Sequence, residues 1–332
     1  MAVSPTPAAG PRDASTPSRS GLDGGTAGLL VALAVFWGLA YLFIRAGIQG
    51  GASPLLFAAV RYLLSAAAFG ALALARREPT RDRRSWAISA LVGGVLIIGL
   101  YGGFLYTGEQ YTTGGYAAVL SSTAPLLTAL AALVLLPNER PSRLATLGLG
   151  LGFAGAIVLV LPSLSSGGVG TWPGPELLLA AFASTAIGTV LLRRLRTPAQ
   201  SLGQIGVQFA VAGALLAAGA LAIGGSPSLP ATPDVLGSLG ALVAVSSVLG
   251  YFTYFRLHHR VGPVRANTVA YLIPLVGAGI GSGLLGEPFS VWEGLGFVLV
   301  AAGVALVARG GRPSSRPTGT GALPDPSAER GE

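Results

Sequence analysis

Residues 106–160 read YTGEQYTTGGYAAVLSSTAPLLTALAALVLLPNERPSRLATLGLGLGFAGAIVLV, and residues 255–307 read FRLHHRVGPVRANTVAYLIPLVGAGIGSGLLGEPFSVWEGLGFVLVAAGVALV. The second stretch repeats the first. Each holds a mid-segment proline, Pro125 and Pro274, then an apolar run, then an acidic turn. Glu139 is followed by Pro141 and Ser142, and Glu287 by Pro288 and Ser290. A glycine-rich apolar run closes each copy, with Gly148 matching Gly296 and Gly155 matching Gly303. A repeat of this length organises the whole chain.

Outward from the repeat, the composition excludes a water-soluble fold. Of 332 residues, 52% are hydrophobic and only 10% charged, where a soluble domain carries roughly 25% charged residues. Apolar runs of about 20 residues recur with short breaks, each long enough to cross a bilayer as a helix. Ten spans follow: 27–48, 54–75, 86–107, 114–136, 143–161, 174–193, 200–223, 235–256, 264–285 and 291–308. Residues 1–26 and 309–332 are polar and rich in Pro, Ser and Gly, and read as disordered tails. The expected fold is therefore an all-α integral membrane protein. Residues 27–161 would form a first five-helix repeat and residues 174–308 a second. There is no cysteine, and the two histidines, His258 and His259, are adjacent, so no metal or cofactor site is expected.

The basic residues, all arginine, locate the faces. Arg76, Arg77, Arg81, Arg83 and Arg84 fall between spans two and three, Arg140 and Arg143 between four and five. Arg193, Arg194 and Arg196 follow span six, and Arg256, Arg260 and Arg265 follow span eight. The alternate segments GGAS, GEQYTT and 162–173 carry none. This is the positive-inside alternation of a protein of the cytoplasmic membrane with both termini in the cytoplasm. The net charge of +8 then faces anionic lipid, and no nucleic-acid partner is expected. A homodimer is compatible with the sequence. Five spans is an odd number, so the second copy must enter the membrane the other way up. Inverted repeats of this kind build carriers whose site lies near the midplane, where the halves meet.

The residues FWGLAYLFIR (Phe36–Arg45) and PLLFAAVRYLLSA (Pro54–Ala66), with the proline-then-acid pattern of spans four and nine, resemble the drug/metabolite transporter superfamily in its ten-helix EamA branch. The resemblance covers nearly everything between the tails. It implies efflux or exchange of a small metabolite, amino acid or drug by alternating access between the halves. Two departures stand out. Pro137-Asn138-Glu139 stands where the family more often has Leu-Gly-Glu, which the second copy keeps as Leu285-Gly286-Glu287. Thr185 stands where the family often repeats the tryptophan of span one.

Substrate-binding candidates follow from polarity at membrane depth. Arg61 lies about seven residues into span two, roughly 10 Å deep at 1.5 Å per residue. It is either a counter-charge for an anionic substrate group or an arginine bonded to helix-end carbonyls or snorkelling outward. Gln208, at the equivalent place in span seven, and Gln204 either donate to a ligand or bond between helices. Trp37, Tyr41, Tyr101 and Tyr271 are candidate cavity walls, and each tyrosine hydroxyl needs a partner in hydrocarbon. Ser121, Ser122 and Thr123 precede Pro125, and Asn267 and Thr268 precede Pro274. They either bind substrate or satisfy the carbonyl that a proline frees one turn upstream. Thr185, Ser246 and Ser247 are further midplane positions. Arg45 reads as an interfacial anchor, Glu109 as a surface acid, and Glu139 and Glu287 as helix N-terminal charges. The GxGxxG patterns at Gly150 and Gly281 follow no strand and read as helix packing.

Three other classes compete. An intramembrane enzyme would need HExxH, a buried aspartate pair or a serine with a histidine at depth, and none occurs. A nucleotide-sugar or sugar-phosphate carrier would place several basic residues in its cavity, where only Arg61 qualifies. A passive channel or non-transporting scaffold stays open at this stage.

Overall fold

The computed structural model describes residues 24–78, 82–136, 142–164, 171–195, 201–223, 227–254, 256, 257, 260, 269, 272, 273, 276, 280, 283 and 290–310. Nine helices stand among them: α1 Gly24–Gln49, α2 Pro54–Ala75, α3 Arg83–Gly108, α4 Gly114–Leu135, α5 Arg143–Leu164, α6 Gly174–Arg194, α7 Leu202–Ala222, α8 Pro233–Tyr254 and α9 Val291–Gly310. Seven, all but α5 and α9, are long and apolar enough to cross a membrane, while α5 and α9 carry the apolar stretches Thr146–Gly155 and Gly294–Gly303. Helices cover the first eight expected spans and the tenth. The expected ninth span, 264–285, lies almost wholly outside the described residues, as do Glu139 and Glu287.

Local sequence explains the helix starts. Pro54, Pro175 and Pro233 occupy first-turn positions, where the missing N–H costs nothing. Asp82 accepts from the Arg84 and Ser85 N–H groups, Thr113 from Tyr116, Thr232 from Val235 and Ser290 from Trp292. Ser201 and Gln204 close a reciprocal capping box at the start of α7. Between α1 and α2 the turn passes through Gly51 at φ 95°, a conformation that needs glycine.

Three helices depart from regular α geometry, which apolar periodicity does not reveal. Residues Ser89–Leu100 of α3 and Leu242–Leu249 of α8 are π-helical, and these two helices hold corresponding places in the two copies. In α4, Ser121–Thr123 tighten into a 3₁₀ turn ahead of Pro125. Hydroxyls repair the backbone there: Ser121 donates to the Ala118 carbonyl at 2.6 Å and Thr123 to Leu120 at 2.8 Å.

Corresponding helices of the two copies pack antiparallel. Along α2 and α7, Leu55 lies against Gly219, Leu63 against Gly213 and Ala73 against Gly203. In the α5–α9 pair, Gly155 packs on the backbone at Gly296 and Val300, and Gly303 on Gly148 and Gly152. The glycines let the backbones touch, which is how helices associate where lipid removes the hydrophobic drive. Other contacts are exchanged between the copies. As α1 packs against α8, with Gly50 by Val235 and Trp37 by Gly250, so α6 packs against α3, with Gly174 by Gly108 and Gly188 by Ile97. Two loops tie the halves again: Ser53 and Ser228 bond each other through backbone and side chain at 2.8 Å, and Thr171 N–H donates to the Tyr111 carbonyl at 2.9 Å.

Candidate functional site

Arg61 lies at the centre of the bundle. It is only 8% exposed. Its Nη1 donates to the Tyr106 hydroxyl on α3 at 2.8 Å and its Nη2 to Ser246 Oγ on α8 at 3.0 Å. The Tyr62 and Tyr106 rings face the guanidinium at 5.3 and 6.0 Å, close enough for cation–π attraction. Its Nε is buried and has no acceptor. A charge in hydrocarbon costs about 3 kcal/mol or more unless it is paired or wetted. A buried N–H without an acceptor costs about 1–3 kcal/mol. Two neutral hydroxyls and two ring faces offset part of the first cost and none of the second.

Part of the site is polar. Tyr41 of α1 meets Ser121 of α4 and Tyr101 of α3 through its hydroxyl. Ser65 donates to Ser247 at 2.9 Å, a second contact between α2 and α8. Another part is aromatic. Tyr62 packs on Phe209 of α7 with centroids 5.6 Å apart, Phe209 stacks on Phe69, and both meet Tyr251 of α8. Tyr251 and Tyr254 then flank Trp37 of α1, at 6.2 and 5.7 Å. Both copies contribute to the cluster throughout.

Several expected residues therefore meet at one place: Trp37, Tyr41, Arg61, Tyr101 and Ser121. Ser122 is close in sequence but its buried hydroxyl has no acceptor or donor partner. Gln208 does not join the cluster. Its amide donates to Ser89 of α3 at 2.6 Å, and Gln204 reaches Ser85 at 3.4 Å, so both act as bonds between α7 and α3. Thr185 is half-buried on α6, where its neighbour Ser184 donates to the Leu96 carbonyl in the π-helical part of α3. Asn267 and Tyr271 lie outside the described residues. Sequence reasoning missed Tyr62, Tyr106, Phe69, Phe209, Tyr251 and Tyr254. Tyr62 adjoins Arg61 in the chain, which was a usable signal. For the others, which face of the helix turns inward depends on packing.

One surface expectation changes. Glu109 caps the C-terminus of α3 and is fully buried, not a surface acid. Arg45 reaches the end of α3, donating from Nη1 to the Glu109 carbonyl at 2.6 Å and to the Gln110 carbonyl at 3.2 Å. It caps a helix C-terminus, where a cation is favoured.

A helical bundle of membrane-spanning length, with two related halves meeting on a buried arginine and a run of aromatic rings, defines a membrane transporter. The chain belongs to the EamA-like transporter family, whose model matches residues 26–161 and 172–309. It is similar to the "Uncharacterized inner membrane transporter YedA" of Escherichia coli (strain K12), at 30% identity over 286 residues, covering 85% of this chain and 90% of that one. A "Probable amino-acid metabolite efflux pump" of Salmonella typhimurium is 29% identical over 291 residues, 84% of this chain and 93% of its own. A solved crystal structure shares the fold at a TM-score of 0.56 and 22% identity, covering 86% of this chain and 98% of that one.

Proposed function

We propose that the protein is a secondary transporter of the cytoplasmic membrane that exports or exchanges a small metabolite, amino acid or drug by alternating access. Its ten spans form two five-helix repeats of opposite orientation, residues 27–161 and 174–308, with both termini in the cytoplasm. The substrate sits where the repeats meet, against Arg61, Tyr41, Tyr101, Ser121 and Trp37, and the sequence candidates Asn267 and Tyr271 belong to the same proposal. The antiparallel pairing of α2 with α7 and of α5 with α9 carries this reading. It is the packing that two inverted copies require, and it supports a shared site at their interface. The name of the Salmonella typhimurium relative supports efflux of an amino-acid metabolite as the direction and cargo.

The test is to overexpress the protein and profile the metabolites that build up outside the cells, against an Arg61→Ala control. A compound enriched outside only with the wild-type protein is then tested for counterflow in liposomes. Saturable counterflow is the expected result. An unchanged medium, or flux that rises linearly with concentration as in a channel, would overturn the carrier reading.

A further inference from the structure

Building on that reading, we propose that the site takes an organic carboxylate, which binds the Nε–Nη2 edge of Arg61 and displaces Ser246 from it. A guanidinium offers two parallel N–H groups along this edge, the geometry that a carboxylate accepts side-on. Here Nε has no acceptor, although it is buried, and Nη2 holds only one neutral hydroxyl, at 3.0 Å. The opposite corner, Nη1, stays anchored on Tyr106. One ligand carboxylate would satisfy both Nε and Nη2.

The Tyr62 ring faces the guanidinium and packs on Phe209, which stacks on Phe69 and meets Tyr251, so parting these buried rings would give an apolar surface for the rest of the ligand. The cargo is thus an organic carboxylate with an aromatic or bulky apolar part. An inorganic anion would leave that surface unused.

Displacing Ser246 has a second consequence. Arg61 and Ser246 lie in different matched segments, 26–161 and 172–309. The Arg61–Ser246 bond is therefore a cross-link between the halves, and a bound carboxylate opens it. Occupancy would loosen the contact that has to change when access alternates.

The test measures ligand-induced thermal stabilisation of the purified full-length protein in detergent. The probes are benzoate, its uncharged isostere benzamide, L-phenylalanine and inorganic phosphate. Benzoate or L-phenylalanine should stabilise the protein at least tenfold more potently than benzamide or phosphate, and the stronger of the two tells whether an ammonium group is also recognised. Arg61→Lys keeps the charge but loses the bidentate edge, and should weaken carboxylate binding about tenfold. Ser246→Ala removes the competing hydroxyl and should tighten it about threefold. Size-exclusion profiles identify any variant that has not folded, and Ser246→Ala is then the deciding variant. Equal potency of benzoate and benzamide, preference for phosphate, or weaker carboxylate binding in Ser246→Ala would each overturn the proposal. If metabolite counterflow survives while carboxylates fail, the carrier reading stands and this assignment alone falls.

Discussion

Arg61 Nη2 and Ser246 Oγ meet across 3.0 Å although 185 residues separate them in the chain. One is on α2 and the other on α8, in different copies of the repeat. Because the bond is charge-assisted and buried, it is stronger than a neutral pair would be. The bundle therefore has a polar joint at its centre, surrounded by helix contacts made mostly through glycine and aromatic rings.

The other anchor of that joint is Tyr106. Tyr106→Phe keeps the ring but removes the acceptor for Nη1. It should cost about 1–2 kcal/mol of stability, measured by reversible unfolding in mixed micelles. Combined with Arg61→Gln, the two losses should fall short of additivity by at least about 0.5 kcal/mol, because the residues share one bond. Additive losses would mean the contact carries no energy.

Ser65 and Ser247 hydroxyls lie 2.9 Å apart on α2 and α8. In this cysteine-free chain, Ser65→Cys with Ser247→Cys should form a disulfide on mild oxidation, since the side-chain ends already meet near bonding geometry. Mass spectrometry of linked peptides reports the bond. Oxidation should stop counterflow and reduction should restore it, if the halves must separate there during transport. Full counterflow with the bond formed would place the moving interface elsewhere.

The α5–α9 contact is a glycine seam. A methyl group at Gly303 would collide with the backbone at Gly148 and Gly152, whereas one at Gly150 would meet open space. Gly303→Ala should lower stability by about 1–3 kcal/mol, and Gly150→Ala should stay within about 0.5 kcal/mol of wild type. Thermal unfolding in detergent separates the two outcomes.

Gln208 bonds to Ser89 and stands apart from the arginine cluster. Gln208→Met should cost about 0.6–1 kcal/mol, the usual worth of a hydrogen bond between membrane helices. Carboxylate affinity, read by the same thermal titration, should remain that of wild type. A tenfold loss of affinity would return Gln208 to the binding site.

Membrane orientation can be read by labelling single cysteines. Gln110 and Trp172 are exposed at one end of the bundle, Arg83 and Arg194 at the other. Gln110→Cys and Trp172→Cys should react with an impermeant maleimide on intact cells. Arg83→Cys and Arg194→Cys should react only after permeabilisation, as the arginine distribution requires. The reverse pattern would invert the topology.

The amino-acid order alone determined that this chain is a helical membrane protein built from two copies of one unit. Length and polarity of an apolar run suffice for that, because hydrocarbon leaves a spanning segment no other way to pair its backbone. The glycines of the α5–α9 seam, matched between the copies, were likewise present as a local pattern. Only tertiary structure decided which polar side chains meet. Gln208 and Arg61 occupy equivalent places in the repeat, yet one bonds to Ser89 within a helix pair and the other reaches two helices from different copies. Glu109 reads as a loop acid and is buried. Tyr106 and Tyr251 enter the cluster beside the π-helical parts of α3 and α8, where the register of inward-facing positions changes. An apolar helix in lipid has no strong polar face to reveal its orientation, so its rotation is set by the shape of its neighbours, which lie far away in the chain.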